Sequence, residues 1–260
     1  MRQYTRPSSN VNTTQTFEHT WAVFLLAWVA AFGDAIGFLV LQQLGASFMS
    51  GNSMATGAAL GHLDWHAAFR SGLPIIVFFL GNMLGFLVLV LARLAHIRSP
   101  FSIIFTLELA SLLAFLILGS RSLQNGSILP VQSWNFYLCT ILLTLTMGLQ
   151  TTTVRQASGQ GISTTFVTGV LSNWANALLQ YLPWLHEQLI EHSFLQAMRA
   201  SWQRTAFRHL LLLSGVWASY VIGAICGSAL ELRFALNSLI FPMIILVVLI
   251  IIDLLQPFRR

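Results

Sequence analysis

One acidic residue, Asp34, lies inside a long apolar segment near the start of the chain. A carboxylate in a membrane interior costs about 2.5–3.5 kcal/mol on insertion scales, so such residues usually face protein and belong to ion or proton pathways. Gln150 has a comparable place in a later apolar segment, where it cannot titrate. The pattern predicts one titratable site at Asp34 with a neutral counterpart at Gln150. The alternative is a structural carboxylate bonded to a neighbouring helix.

Two similar phrases, 118 positions apart, each follow an apolar segment: Ser47-Phe48-Met49-Ser50-Gly51-Asn52 and Thr165-Phe166-Val167-Thr168-Gly169-Val170. Glycine permits unusual dihedral angles, and Ser, Thr and Asn can satisfy backbone groups freed where a membrane helix breaks. A half-helix that begins there presents N–H donors and partial positive charge, which suits an anionic group. We expect a solute or ion site, with tight small-residue packing as an equal alternative. Its candidate residues are Ser50, Gly51, Asn52, Thr168, Gly169 and Asn173.

A second acidic residue, Glu108, lies inside another apolar segment. We expect it either to pair with an arginine, for which Arg155 is the suggested partner, or to extend toward the membrane interface. Both residues are site candidates. His62 and His66 are four positions apart, but no third histidine or cysteine is nearby, so we predict no metal site and no cofactor.

Composition places these residues in a membrane protein. Apolar residues make up 56% of the chain and charged residues 8%, against about 25% charged in a soluble domain. A helical span needs about 20 apolar residues. Six segments qualify, near 21–44, 72–93, 101–119, 135–155, 207–230 and 234–255. The fold class expected is an all-α integral membrane protein.

The arginines predict the orientation of the chain. All thirteen basic residues are arginine, and they lie mainly between apolar segments, so we attribute the basic balance to loop bias rather than to nucleic acid. With six spans and a cytoplasmic N-terminus, ten arginines lie inside and three outside, the three being Arg70, Arg121 and Arg233. We expect both termini in the cytoplasm.

The two halves of the chain indicate a duplication. The offset between corresponding glycines grows from 118 positions at the two phrases to 142 between Gly81/Gly85 and Gly223/Gly227. Residues near 184–207 account for the difference, and we expect them to form an amphipathic surface helix attracted to anionic lipid. Each half has three spans, so the second enters from the opposite side as a 3+3 inverted repeat.

The expected organisation is a polar cytoplasmic N-terminus (1–20), a first membrane repeat (21–119), an extracytoplasmic loop (120–134), a second membrane repeat (135–255) and a cytoplasmic tail (256–260). The segments 46–61 and 162–183 are predicted as two short re-entrant or half-helical segments. If both crossed the membrane instead, there would be eight spans and a parallel repeat, with nine arginines inside and four outside.

The motifs Gly33-Asp34-Ala35-Ile36-Gly37-Phe38, Ser47-Phe48-Met49-Ser50-Gly51-Asn52 and Met147-Gly148-Leu149-Gln150 resemble those of the YoaK-like bacterial membrane proteins, catalogued as domain of unknown function 1275. The similarity covers roughly 20–255. It implies a multi-pass protein of the bacterial inner membrane, and it implies no activity.

The residues favour a secondary transporter or permease for a small solute, proton-coupled through Asp34. The chain has no Gly-x-Ser-x-Gly, His-Glu-x-x-His or P-loop motif, so we expect no enzyme, and a lipid-modifying enzyme is the weakest alternative. A non-catalytic assembly or sensor protein is the main alternative. The expected partners are membrane lipids and an unknown small solute, without nucleic acid, and a homo-oligomer is left open.

Overall fold

The apolar segments form long helices in the computed structural model, which describes residues 20–123, 128–131, 133–158, 167–191 and 193–257. The N-terminal tail to residue 19, the beginning of the predicted segment 162–183 with Thr165 and Phe166 of the second phrase, and residues 258–260 of the predicted tail lie outside the described residues. The helices are α1 (Thr20–Val40), α2 (Met49–Gly61), α3 (Trp65–Leu94), α4 (Pro100–Ser122), α5 (Trp134–Ser158), α6 (Val167–Glu191), α7 (Phe194–Ser201), α8 (Thr205–Phe234) and α9 (Ile240–Leu255). Within these ranges all regular structure is helical, as predicted.

Five stretches of helix are long and apolar enough to cross a membrane: Thr20–Val40, Trp65–Leu94, Pro100–Ser122, Trp134–Gln156 and Thr205–Leu255. The last contains α8 and α9, joined by a short 3₁₀ helix at Ala235–Leu239, so each of the six predicted spans coincides with a helix. Among the described residues, α2 and α6 do not combine the length and the apolar composition of a membrane span. The 13 residues of α2 extend about 20 Å, short of the ~30 Å hydrocarbon core.

Helix α1 lies at the centre of the helix bundle and packs mainly against α8. Glycines of α8 allow this contact, because a side chain on Gly223 would collide with the Trp28 carbonyl. A side chain on Gly227 would lie 2.8 Å from the Phe32 carbonyl oxygen. Small residues at a helix interface let two backbones approach in this way. The prediction of close packing at these glycines is confirmed.

Helices α3 and α5 form a similar pair. A side chain on Gly81 would lie 2.8 Å from the Leu145 carbonyl oxygen and 3.1 Å from the Gly148 Cα, while one on Gly85 would meet Thr152 at 3.1 Å. Both glycines therefore serve helix packing, as predicted. The α1–α8 and α3–α5 pairs meet where α1 contacts α5.

Helix α9 and the 3₁₀ turn before it close the bundle against α4. Leu236, in the 3₁₀ turn, packs on Gly119 near the end of α4, whereas Asp253 at the end of α9 reaches the start of α4. Asp253 Oδ2 accepts hydrogen bonds of 2.7 Å from the backbone N–H and from the hydroxyl of Ser102. A buried carboxylate from one helix thus caps the N-terminus of another, where a negative charge is favourable.

The range 184–207 differs from its prediction as one surface helix. Helix α6 continues through Pro183 to Glu191, α7 is a separate helix of eight residues, and α8 begins at Thr205. Proline removes only its own N–H bond, which membrane helices tolerate. The break falls instead at Ser193, where the Ser193 N–H donates to Gln196 Oε1 at 3.4 Å in a capping-box arrangement.

Candidate functional site

Asp34 is buried in α1, with 3% of its surface exposed, and belongs to a cluster with two hydroxyl groups. The hydroxyl of Ser47 donates to Asp34 Oδ2, and the Tyr220 hydroxyl of α8 donates to the same oxygen at 3.1 Å. Asp34 Oδ1 has no hydrogen-bond partner among the described residues. The carboxyl group therefore retains an acceptor that is available to a proton or a ligand.

The segment after α1 turns back into the bundle to bring Ser47 to Asp34. Gln42 and Gln43 have positive φ angles of 53° and 64°, which is uncommon for residues other than glycine and reverses the chain direction. Asp34 lies six residues before the end of α1, or about 9 Å along the helix. Because Ser47 contacts Asp34, the chain re-enters by about that distance before α2 begins.

Asn52 and Thr56 fix the position of α2. The Asn52 side chain is 5% exposed and donates to the Gly45 carbonyl at 2.8 Å, which holds the returning segment against the helix. Thr56 donates to the Ser71 hydroxyl at 3.0 Å and so ties α2 to α3. Asn52 is consequently a structural residue of the break, as its residue type suggested.

The beginnings of α2 and α6 meet at one cavity of about 690 Å³. The two helices come from opposite halves of the chain, and α3 and α5 complete the walls. We call this space the central cavity. Its lining residues are Ser47, Phe48, Met49, Ser50, Ile75, Phe78, Phe79, Asn82, Thr151, Arg155, Val167 and Thr168.

The structure brings together three of the predicted site residues, since Ser50, Thr168 and Arg155 all line the central cavity. Asp34 adjoins it through Ser47. Gly51 and Asn52 instead line a smaller cavity of about 420 Å³ beside Arg70. Gly169 and Asn173 follow Thr168 on α6 and do not line the central cavity; Asn173 is exposed.

Gln150 is fully buried between α5 and α1, and its side-chain amide donates to the Leu26 carbonyl at 2.9 Å. Its Oε1 has no partner among the described residues. Gly33 of α1 faces Met147 of α5. Gln150 therefore binds the backbone of α1 eight residues, or about 12 Å, before Asp34 and does not contact the carboxyl group.

Glu108 is fully buried in α4 and has a different partner from the one suggested by the sequence. Its Oε1 accepts a hydrogen bond of 3.4 Å from Thr153, while Oε2 has no partner within the described ranges. Arg155 is two residues after Thr153, which rotates it by about 200° around α5. It is exposed on the side of the central cavity and does not pair with Glu108, so the suggested Glu108–Arg155 pair is wrong.

Within the described residues no group of three or more His, Cys, Asp and Glu side chains could hold a metal ion. The site instead offers one carboxyl group, one guanidinium group, an amide and several hydroxyls. These groups can bind a solute and can exchange a proton.

Comparison with known proteins agrees with this architecture. Residues 22–252 match the model of a family described as "Protein of unknown function (DUF1275)". The chain belongs to this family. It is also 28% identical over 149 residues to the UPF0700 transmembrane protein YoaK of Bacillus subtilis (strain 168). That match covers 57% of this chain and 62% of the relative, so the chain spans about three fifths of the relative's length. No solved structure matches.

The family match includes every residue of the Asp34 cluster and the central cavity. Since its description names no activity, a function for this DUF1275 protein has to come from the chemistry of those residues. Two findings indicate a membrane protein. The similar relative is described as a transmembrane protein, and five stretches of helix in this chain are long and apolar enough to cross a membrane.

Sequence reasoning missed Tyr220 and Asn82. Tyr220 lies three residues before Gly223 in an apolar helix. A hydroxyl group in such a segment usually has a hydrogen-bond partner, and this could have marked Tyr220 as a candidate. Asn82 lies between Gly81 and Gly85; its backbone carbonyl accepts from Thr152 at 3.1 Å, and its side chain lines the central cavity. A role could be assigned to either residue only once it was known which helices pack together.

Proposed function

We propose that this protein is a secondary transporter or permease for a small solute, with the central cavity as its solute site and Asp34 as its proton-exchanging group. One observation carries the proposal: the starts of α2 and α6, which come from opposite halves, meet at a cavity whose wall includes Ser47, the partner of Asp34. Paired helix breaks at a repeat interface are typical of solute and ion sites in transporters. The proposed role is that of a carrier, without a catalysed reaction.

A 3+3 inverted repeat is supported by equivalent contacts in the two halves. The bond from Thr56 to Ser71 holds α2 on α3, and a 2.8 Å bond from Trp174 to Ser214 holds α6 on α8. Thr56 and Trp174 are 118 positions apart, as are Ser50 and Thr168. Likewise α1 packs on α8, the second span of the second half, and α5 packs on α3, the second span of the first.

A route through the protein is supported by two further cavities that adjoin the central one. The cavity of about 420 Å³ lies beside Arg70, near the start of α3, and shares Phe48 with the central cavity. Another of about 520 Å³ reaches Val90, near the end of α3, and shares Asn82 and Arg155. A solute that passed Phe48 and then Arg155 would cross most of the length of α3.

Proton coupling is supported by the setting of Asp34. A carboxyl group without a salt-bridge partner in the bundle interior is costly when charged and is therefore a functional candidate. Its free Oδ1 can take a proton while Oδ2 keeps its bonds to Ser47 and Tyr220. Proton exchange then requires no rearrangement of the cluster.

The proposed location is the bacterial inner membrane, with six spans and both termini in the cytoplasm. The excess of arginine on one side supports this orientation. The short length of α2 supports a re-entrant segment rather than a seventh span. Surrounding lipids are the expected partners, and a homo-oligomer stays a prediction.

The test is transport by the purified full-length protein in liposomes that contain a pH-sensitive dye. A panel of small solutes is added outside, and solute uptake and internal pH are followed together. We expect one solute class to enter with a change in internal pH, and Asp34→Asn to abolish that change. Uptake with the same pH change in Asp34→Asn would contradict the coupling role. Binding of a solute without any uptake would contradict transport.

The alternative of a non-catalytic assembly or sensor protein is favoured by the surface around α7. Phe194, Leu195 and Trp202 are exposed there, beside the short helix that separates α6 from α8. Replacement of residues 193–202 by a polar linker leaves the flanking membrane helices intact. Loss of a co-purifying partner in that variant, with uptake absent in the parent as well, would support this alternative.

A further inference from the structure

The central cavity has two chemically different sides. Its apolar side is formed by six side chains: Phe48, Met49, Ile75, Phe78, Phe79 and Val167. Its polar side contains hydroxyl and amide groups and a single charged residue, Arg155. Ligand sites typically combine apolar walls with a few placed polar groups that orient the ligand. This division suits a molecule with an apolar body and one polar end.

Arg155 determines the charge that the polar end should carry. It is seven residues from Gly148, where α5 packs on the middle of α3, and this is about 10 Å along the helix. Arg155 lies in the last turn of α5 and is exposed, so its long side chain can stay hydrated while it lines the cavity. Its guanidinium has five N–H donors, so it can bind an anion in addition to contacts within the protein. No acidic side chain is among the described lining residues.

Other donors surround the same polar side. Ser50 and Thr168 supply hydroxyl groups and Asn82 supplies an amide. The N-cap of α2 is Phe48, which provides no side-chain cap for the N–H groups of the first turn. Together with Arg155 these donors favour an anionic oxygen group, because charge-assisted bonds to arginine are strong and directional.

We propose that the central cavity binds a small organic anion, whose carboxylate contacts Arg155 and whose apolar body lies against Phe78 and Phe79. This deepens the proposed transport function and names its substrate class. An inorganic ion would leave the apolar side unfilled, and a cation would be repelled by Arg155. A negative charge beside Ser47 and a negative Asp34 would repel each other, so entry of the anion favours entry of a proton with it.

The test measures binding alone, by thermal unfolding of the full-length protein in detergent. The probes are matched pairs of a carboxylate and its neutral amide: benzoate and benzamide, butyrate and butyramide, phenylacetate and phenylacetamide. We expect at least one carboxylate to raise the midpoint of unfolding while its amide does not, since a ligand stabilises only the state that it binds. Arg155→Gln should weaken binding of that carboxylate at least tenfold, whereas Arg155→Lys should retain part of it.

A second variant keeps the proposal testable if Arg155→Gln does not fold. Ser50 is exposed at the first turn of α2, where an acidic residue is favourable for the helix. Ser50→Glu should therefore fold normally and abolish carboxylate binding. Arg121→Gln, on the exposed last turn of α4, is the matched control and should bind normally.

Equal stabilisation by amides and carboxylates would overturn the proposal, as would stabilisation by none of the carboxylates or unchanged binding in Ser50→Glu. Failure of the proposed transport function would give a different result from failure of the anion site. If carboxylates bind with the expected dependence on Arg155 and yet do not enter liposomes, the anion site stands and the transport function does not.

Discussion

Replacement of Ser47 by alanine tests whether the hydroxyl cluster serves the Asp34 carboxylate. Oδ2 accepts bonds from both Ser47 and Tyr220. A hydrogen bond to a charged group contributes about 1.5–3 kcal/mol, and one between neutral groups about 0.5–1.5 kcal/mol. At neutral pH we expect Ser47→Ala to lower the free energy of unfolding by about 1.5–3 kcal/mol, and Tyr220→Phe to have a similar effect.

The same substitutions in an Asp34→Asn background remove only neutral bonds. The loss should then fall to about 0.5–1.5 kcal/mol, which leaves a coupling energy of about 1–1.5 kcal/mol between Ser47 and the charge of Asp34. That difference is about a tenfold change in the unfolding equilibrium constant and is measurable. The assay is reversible unfolding in mixed detergent micelles with increasing SDS, followed by the fluorescence of the eight tryptophans.

Two matched controls define the background. Ser122→Ala removes a hydroxyl that bonds only within its own helix turn, to the Leu118 carbonyl at 2.8 Å, and should change stability by less than about 0.5 kcal/mol. Tyr137→Phe keeps the ring that packs against Phe69 and Phe136 and should have an equally small effect. Equal losses from Ser47→Ala with and without the Asp34 charge would refute the reasoning.

Three further predictions use the same structure. Gly81→Ala should lower the free energy of unfolding in SDS by about 1–3 kcal/mol, because its Cβ would meet the backbone of α5. Its control is Gly57→Ala, which has open space around it and should be neutral or stabilise by up to about 1 kcal/mol. Equal effects of the two substitutions would contradict the packing of α3 on α5. Asp253→Ala should lower the free energy of unfolding by about 2–4 kcal/mol, because its two bonds to Ser102 are lost. Asp253→Asn should lose only about half as much in the same measurement. In a chain without native cysteines, Ser50→Cys should react rapidly with a water-soluble thiol reagent, whereas in a chain that keeps Cys139 alone this fully buried cysteine should resist it; slow labelling at position 50 would mean that water does not reach the cavity.

The helices and the glycine pairs could be predicted because both depend on local sequence. An apolar run of sufficient length must form its own backbone hydrogen bonds in a membrane, and Gly81 with Gly85, four positions apart, necessarily shares a helix face. The break between α1 and α2 was similarly visible, since Gly45 and Ser47 interrupt an apolar run. None of these inferences required knowledge of a neighbouring helix.

The contents of the site could be predicted only in part, because they depend on which helices touch. Tyr220 reaches Asp34 across 186 positions, and no local pattern pairs them. The suggested Glu108–Arg155 pair considered charge without helix geometry, and only the observed contact of Glu108 with Thr153 shows that Arg155, two residues further along α5, lies on another face. The range 184–207 was predicted as one surface helix because its apolar residues have helical spacing, and that spacing does not show that the range is shared by the end of α6, α7 and the start of α8.

The contact between α1 and α8 has a consequence for biosynthesis. Trp28 and Gly223, which meet at this contact, are separated by 195 positions, and at about 5–20 residues per second the ribosome needs roughly 10–40 s to make the intervening chain. During that time the first helix is in the membrane without the surface that covers most of it in the finished protein. The face that carries Trp28 and Phe32, one turn apart, is therefore what lipid and insertion machinery encounter first. Substitutions on that face can alter the insertion of the unfinished chain as well as the stability of the folded protein.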